Sequence, residues 1–258
     1  MGNYFITGAN GGMGAAIRRA LLQAGHHVWG IDRRPAAGVI SADITNPTEL
    51  QAAFERVRAE AGKLDGIIHT AGVYDLNSLV EMPEEDFIRD FQVNLFGMFR
   101  VNRLFLPLLK EHRRIVIVSS ELAPLHPLPF TGIYAITKTA VEQYAAALRM
   151  EVQLLGHQVI VIRPGAVRTA MLPASTDQLD RFCAATRLYK CNAARFKRIV
   201  GRVEARNVGP EKIAAVVQKA LAAPRPRLVY CVNRNPLLLL LNALPKRLQL
   251  LIIRKILA

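Results

Sequence analysis

The chain has 258 residues, 51% of them apolar, three cysteines and a net charge of +14. Such a length suits one α/β domain around a substantial core, and scattered cysteines exclude a disulfide scaffold or a zinc module. The basic excess fits an anionic membrane surface or a solvated face, while no recognition module accompanies it to favour nucleic acid.

In chain order, a strand is predicted over residues 3–7. It runs straight into Thr7-Gly8-Ala9-Asn10-Gly11-Gly12-Met13-Gly14, so no secretory signal is expected ahead of it and a cytoplasmic location is. A helix follows over about 13–23, with Ala16, Ile17, Ala20 and Leu21 on its apolar face. Glycines 8, 12 and 14, set between strand and helix, permit a tight turn. They aim the helix amino terminus at a pyrophosphate. No Gly-Lys-Ser/Thr ending is present, which argues against a nucleoside triphosphatase.

The next strand, 27–31, leads to Asp32, 18 residues beyond Gly14. A carboxylate there accepts ribose hydroxyls and repels a 2′-phosphate, which favours NAD. Arg33 and Arg34 are good phosphate partners and keep NADP as the alternative.

A short strand near 39–40, a helix over 47–61, a strand at 66–69, a long helix over 84–109 and a strand at 115–118 complete the first half. A proline-containing loop precedes a helix over 134–155 and the continuously apolar strand 159–162. This alternation predicts right-handed crossovers and a Rossmann-type, doubly wound parallel sheet in a single domain. Residues 171–208 break the rhythm with mixed basic, aromatic and cysteine residues, and are expected to form a lid over the ligand crevice. A helix over 210–222 and a strand over 228–232 close the catalytic domain, 1–235.

The extension, 236–258, reads as two short helices with apolar faces and basic flanks. They suit a membrane interface, a pocket cap or a subunit contact, and are too short to span a bilayer.

Tyr134 and Lys138 are four apart and share a helix face. Hydride exchange at a carbinol carbon requires proton movement at its oxygen. A phenol serves when an ammonium makes its anion less costly. Ser120, after a buried strand, is placed to hydrogen-bond the same oxygen, with Ser119 as its rival. No metal site is expected.

These motifs resemble the classical short-chain dehydrogenase/reductase family over residues 3 to about 235. The resemblance carries the family's Thr-Gly-x-x-x-Gly-x-Gly motif onto Thr7–Gly14, implying dinucleotide contacts from Gly8, Asn10, Gly11, Gly12, Met13 and Gly14. It places Asp43 and Ile44 at the adenine, Ala71 and Gly72 in the Asn-Asn-Ala-Gly motif, and Pro164, Val167 and Thr169 at the nicotinamide. Asp32, Arg33, Tyr134 and Lys138 complete the implied cofactor set.

By the same resemblance Asn94, Ser120, Tyr134 and Lys138 are the catalytic residues, with Asn94 supporting a proton-relay water. The sequence departs from the family at His69 and Thr70, which replace two asparagines; His69 is expected to be a satisfied core residue.

The implied function is NAD-dependent interconversion of a hydrophobic secondary alcohol and its ketone, of steroid, retinoid or lipid type. A homodimer or homotetramer is implied, with possible membrane contact through 236–258 on the inner face. The alternatives are an NADP-dependent carbonyl reductase and a low-turnover dinucleotide-binding scaffold or sensor.

Overall fold

Strands covered on both faces are apolar at every position, and here successive side chains enter two different cores. Phe5, Ile67, Ile115, Ile117, Val159 and Val161 face one core. Their neighbours Ile6, Ile68, Val116, Val118, Ile160 and Ile162 face the other. This period-two division between two dry faces is what a central parallel sheet requires. The computed structural model describes residues 1–258, apart from the side chains of Pro173, Ala174 and Glu204.

The sheet has seven parallel strands in the order β3-β2-β1-β4-β5-β6-β7. They are β1 (Asn3–Thr7), β2 (His27–Asp32), β3 (Val39–Ser41), β4 (Leu64–His69), β5 (Leu109–Val118), β6 (Gln158–Pro164) and β7 (Val229–Val232). Helices α1 (Gly12–Gln23) and α8 (Pro210–Ala222) cover one face through Ile17, Leu21, Ile213 and Val217. The other face carries α2 (Pro47–Ala61), α4 (Gly97–Phe105) and α5 (Gly132–Val152), which bury Leu50, Val57, Phe105 and Val141. Strand order reverses between β1 and β4, which opens a crevice at their carboxyl ends.

The long helix expected over 84–109 is divided. It comprises α3 (Glu84–Phe91), a π-helical turn (Gln92–Phe96), α4 and a 3₁₀ turn (Leu106–Leu108). The extra residue in the π turn places Asn94 inward, only 2% exposed. Pro107 lacks the amide hydrogen that a continuing helix needs. Strand β5 consequently begins at Leu109, six residues before the apolar run that marked it in the sequence.

The irregular stretch 171–208 holds two helices, α6 (Met171–Ala185) and α7 (Lys190–Glu204). Between them, Glu81 Oε1 accepts from the Arg187 and Leu188 amides at 2.9 and 3.2 Å, and Oε2 accepts from the Thr186 hydroxyl at 2.6 Å. A third, aromatic core lies beneath, where Phe130 meets Phe182 and Phe196. Helices α9 (Pro236–Ala243) and α10 (Lys246–Leu257) follow. Leu257 enters the third core, and its carbonyl accepts from Asn192 Nδ2 at 2.7 Å, which docks α10 on α7.

His69, at the end of β4, is only partly satisfied. Nε2 donates to Asn102 Oδ1 at 2.9 Å, and Asn102 Nδ2 donates to the Tyr144 hydroxyl at 3.0 Å. Nδ1 has no partner among the described residues. Burial pulls the imidazole down to about 4, only partly opposed by Asn102.

Because the unfolded chain takes up this proton near pH 6.5, the neutral ring's stabilisation is present above that pH. It is lost as pH falls toward 4, by roughly 3 kcal/mol in all. His69→Asn should remove this acid loss. Urea unfolding of both proteins at pH 7 and pH 4.5 checks it, since their difference cancels the carboxylates.

Candidate active site

The β1–α1 turn is built by close backbone approach. Gly8 has φ +69°, and a side chain there would begin 2.7 Å from the Ala71 amide nitrogen. A Cβ at Gly14 would lie 2.1 Å from the Gly8 carbonyl oxygen and 2.6 Å from Thr70 Oγ1. Thr70 Oγ1 donates to the Thr7 carbonyl at 2.7 Å, so this hydroxyl holds β1 against the β4 loop. Helix α1 follows Gly11, which offers no side-chain cap, and has no acidic residue in its first turn. Its free amides and positive dipole end are thus open to an anion.

A cavity of about 320 Å³ lies over this turn. Gly8, Gly11, Gly12, Met13 and Gly14 form its floor; Asp32, Arg33, Asp43 and Ile44 line one end, and Ala71, Gly72 and Thr169 the other. Asn10 is placed differently from the rest of the motif. Its amide donates to Asp32 Oδ2 at 3.0 Å and its side chain donates to the Arg34 carbonyl, so it braces the turn rather than lining the cavity.

Asp32 Oδ1 also accepts from the Arg34 amide at 3.0 Å, which fixes the carboxylate at the cavity edge. Arg33 and Arg34 are mostly exposed and reach only to 4.0 Å of Asp43 and 3.9 Å of Asp32. Val73, Tyr74 and Val93 also line the wall. No motif marks these three, and only the fold brings them there.

A second cavity of about 180 Å³ adjoins the first through Met13, Thr70, Gly72, Val73, Tyr74, Thr169 and Met171. Tyr134, Lys138, Ser120, Pro164 and Val167 line it. Its far wall is apolar: Leu122, Leu128 and Leu172, with Phe196, Ile199, Val200 and Val203 from α7 and Leu238 from α9. Residues 171–208 and the carboxyl-terminal helices therefore both supply wall residues.

The Ser120 side chain lies beside the Tyr134 hydroxyl and favours its anion, which separates it from its rival. Ser119 Oγ is buried with no partner among the described residues. Burial pushes the Tyr134 phenol up to about 12; the Ser120 contact opposes this and Glu121 adds to it. Lys138 Nζ stands 5.7 Å from the Tyr134 ring centre and donates to the Val118 carbonyl at 3.3 Å. Burial pulls this ammonium down to about 8.

Asn94 has both ends of its amide engaged. Oδ1 accepts from the Val73 amide at 2.8 Å, while Nδ2 donates to the Val73 carbonyl at 3.1 Å and Thr137 Oγ1 at 3.0 Å. It ties the β4 loop to α5 next to Lys138. No cluster of metal-ligating side chains occurs among the described residues.

A parallel sheet with an anion-accepting glycine turn at its switch point, beside a half-buried tyrosine and a buried lysine, defines a dinucleotide-dependent oxidoreductase. The family model for short chain dehydrogenase matches residues 3–180. The chain belongs to the short-chain dehydrogenase/reductase family, oxidoreductases that act on CH–OH groups and use NAD or NADP.

It is 27% identical over 227 residues to 3-ketodihydrosphingosine reductase of Bacteroides thetaiotaomicron, spanning 86% of this chain and 84% of that one. It is 33% identical over 186 residues to 17-beta-hydroxysteroid dehydrogenase type 6 of Rattus norvegicus, spanning 66% and 58%. A solved 3-ketoacyl-(acyl-carrier-protein) reductase from Brucella melitensis, complexed with NADH, matches with a TM-score of 0.72 at 20% identity. That match covers 90% of this chain and 96% of the other, and is a likeness of fold.

A Cβ at Gly12 would stand 2.4 Å from Thr169 Cγ2, so the substitution must displace Thr169 from the junction of the two cavities. Gly12→Ala should weaken dinucleotide binding about tenfold, or about 1.4 kcal/mol. Calorimetric titration measures it, and a thermal melt should show that the fold persists.

Proposed function

We propose that the chain interconverts a hydrophobic secondary alcohol and its ketone with NAD, the substrate being lipid-like. The observation that carries this reading is the Tyr134 phenol opening on a cavity whose far wall is leucine, valine, isoleucine and phenylalanine. The likeness to a 3-ketodihydrosphingosine reductase supports a lipid carbonyl. The fixed Asp32 carboxylate supports NAD, because a 2′-phosphate brought to it would meet a like charge. Arg33 and Arg34 lean toward carboxylates instead of converging on one anion position.

The glycine floor and open α1 amides fit a pyrophosphate, and the bound dinucleotide supplies the hydride acceptor or donor. The chain's own residues manage the proton. Ser120 orients the substrate oxygen, and Tyr134 gives or takes its proton. Lys138 supplies the positive field that makes a buried phenolate tolerable. Asn94 keeps α5, and with it both residues, in register with the β4 loop.

Tyr134→Phe should lower kcat by about two to four orders of magnitude while leaving the dinucleotide Kd within about twofold. Stopped-flow turnover of a long-chain secondary alcohol, with NAD and NADP Kd values at one ionic strength, checks both parts. Tighter NADP binding would reassign Arg33 and Arg34 as phosphate ligands.

The extension supports weak association with an anionic bilayer. Residues 212–258 hold nine lysines and arginines and no acidic residue. Leu237, Leu240, Leu250 and Leu251 are each more than 60% exposed, while Leu238 on the same α9 helix reaches the substrate cavity. Such a surface combines apolar insertion with attraction to lipid phosphates. No helix among the described residues is long and apolar enough to cross a membrane. The double variant Leu250→Asp, Leu251→Asp should sediment several-fold less with phosphatidylglycerol vesicles, with turnover of a soluble alcohol unchanged. Equal sedimentation of both proteins would remove the bilayer and favour a subunit contact.

A further inference from the structure

Glu121 is the only acidic residue lining the substrate cavity among the described residues. It follows Ser120 directly, and its backbone amide donates to the Pro164 carbonyl at 2.9 Å, which fixes where the side chain starts. Oε2 accepts from the Asn235 amide at 2.7 Å. Oε1 has neither a hydrogen bond nor an ion pair among the described residues. It lies against Gly165, where a Cβ would come within 2.8 Å of it and within 2.0 Å of the Asn233 carbonyl oxygen. Arg234 lowers the proton affinity of the carboxyl without forming an ion pair to it, and burial raises it more.

This placement works against the proton transfer. An anion beside Tyr134 makes the phenolate costlier, and Glu121 does raise the phenol. A positive charge brought in by the substrate would cancel that field and give Oε1 its missing partner. Recognition would then favour the very proton movement that turnover needs.

We propose that Glu121 is a specificity residue that binds an ammonium on the substrate, which is thus an aliphatic secondary alcohol or ketone with an amine close to the reacting carbon. This rests on the hydrophobic-alcohol reading above and adds a charge to it. The competing account is a tether, in which Glu121 serves only to hold Asn235 at the start of α9. Glutamine separates the two, because its amide oxygen still accepts from the Asn235 amide while the charge is gone.

The experiment compares three substrates with the full chain and saturating NAD: a long-chain alcohol with an amine on the adjacent carbon, its N-acetylated form, and the alcohol without the amine. In the wild type, kcat/KM for the free amine should exceed the other two by about tenfold or more. Glu121→Gln should erase that preference by raising KM for the free amine, while the amine-free alcohol, freed of the anion beside Tyr134, turns over at least as fast as in the wild type and the NAD Kd is unchanged. A preference that survives in Glu121→Gln, or its absence from the wild type, overturns the proposal in favour of the tether. If the wild type binds NAD but oxidises none of the three, the hydrophobic-alcohol reading fails first and this proposal with it.

Discussion

The hydrogen bond from Thr70 Oγ1 to the Thr7 carbonyl, 2.7 Å long, closes β1 against the β4 loop at the point where strand order reverses. Everything at the carboxyl edge depends on that approach. With it made, the space above Gly8 and Gly14 is too small for a methyl group on either residue. The α1 amides then face an open cavity, and Gly72 lies against Asn94 and Lys138, so that a Cβ on it would come within 3.0 and 3.5 Å of them. Threonine in place of the family's asparagine accomplishes this with a single hydroxyl.

The chemical pair adds a second constraint. Burying a phenol and an ammonium penalises the charged form of both, pushing Tyr134 up and Lys138 down. Their charges are opposite, so each is the natural offset of the other's cost, provided that α5 is held rigidly. Asn94 does the holding. It spends its whole amide on Val73 and Thr137, which is why the helix containing it takes a π turn at that point. The irregularity in the helix and the order of the site are one feature.

The carboxyl-terminal part connects the pocket to the surface. Helices α7 and α9 send Phe196, Val200 and Leu238 into the cavity, while α9 and α10 leave other leucines outside among lysines and arginines. Glu121 joins the two regions, since one of its oxygens holds Asn235 while the residue lines the cavity. Substrate selection and the seating of the extension thus share one side chain.

Local chemistry made much of this legible in the sequence. A period-two apolar run, a glycine turn between strand and helix, and a tyrosine four residues before a lysine each carry their meaning within a few residues. The doubly wound parallel class and the glycine floor of the first cavity follow from them. Other features depend on partners far along the chain. The choice of Ser120 over Ser119 rests on which hydroxyl meets Tyr134. The bracing role of Asn10 rests on Asp32 and Arg34, and the half-satisfied state of His69 on Asn102. Helices α6 and α7 were hidden because their basic exposed faces mask an apolar stripe that only the aromatic core beneath reveals. The sequence by itself determined the elements and the reacting groups, since backbone preference and side-chain chemistry are properties of neighbours in the chain. Tertiary structure alone decided which polar atoms were satisfied, which charges were buried and where Glu121 pointed, because burial and hydrogen bonding are set by residues that only folding brings together.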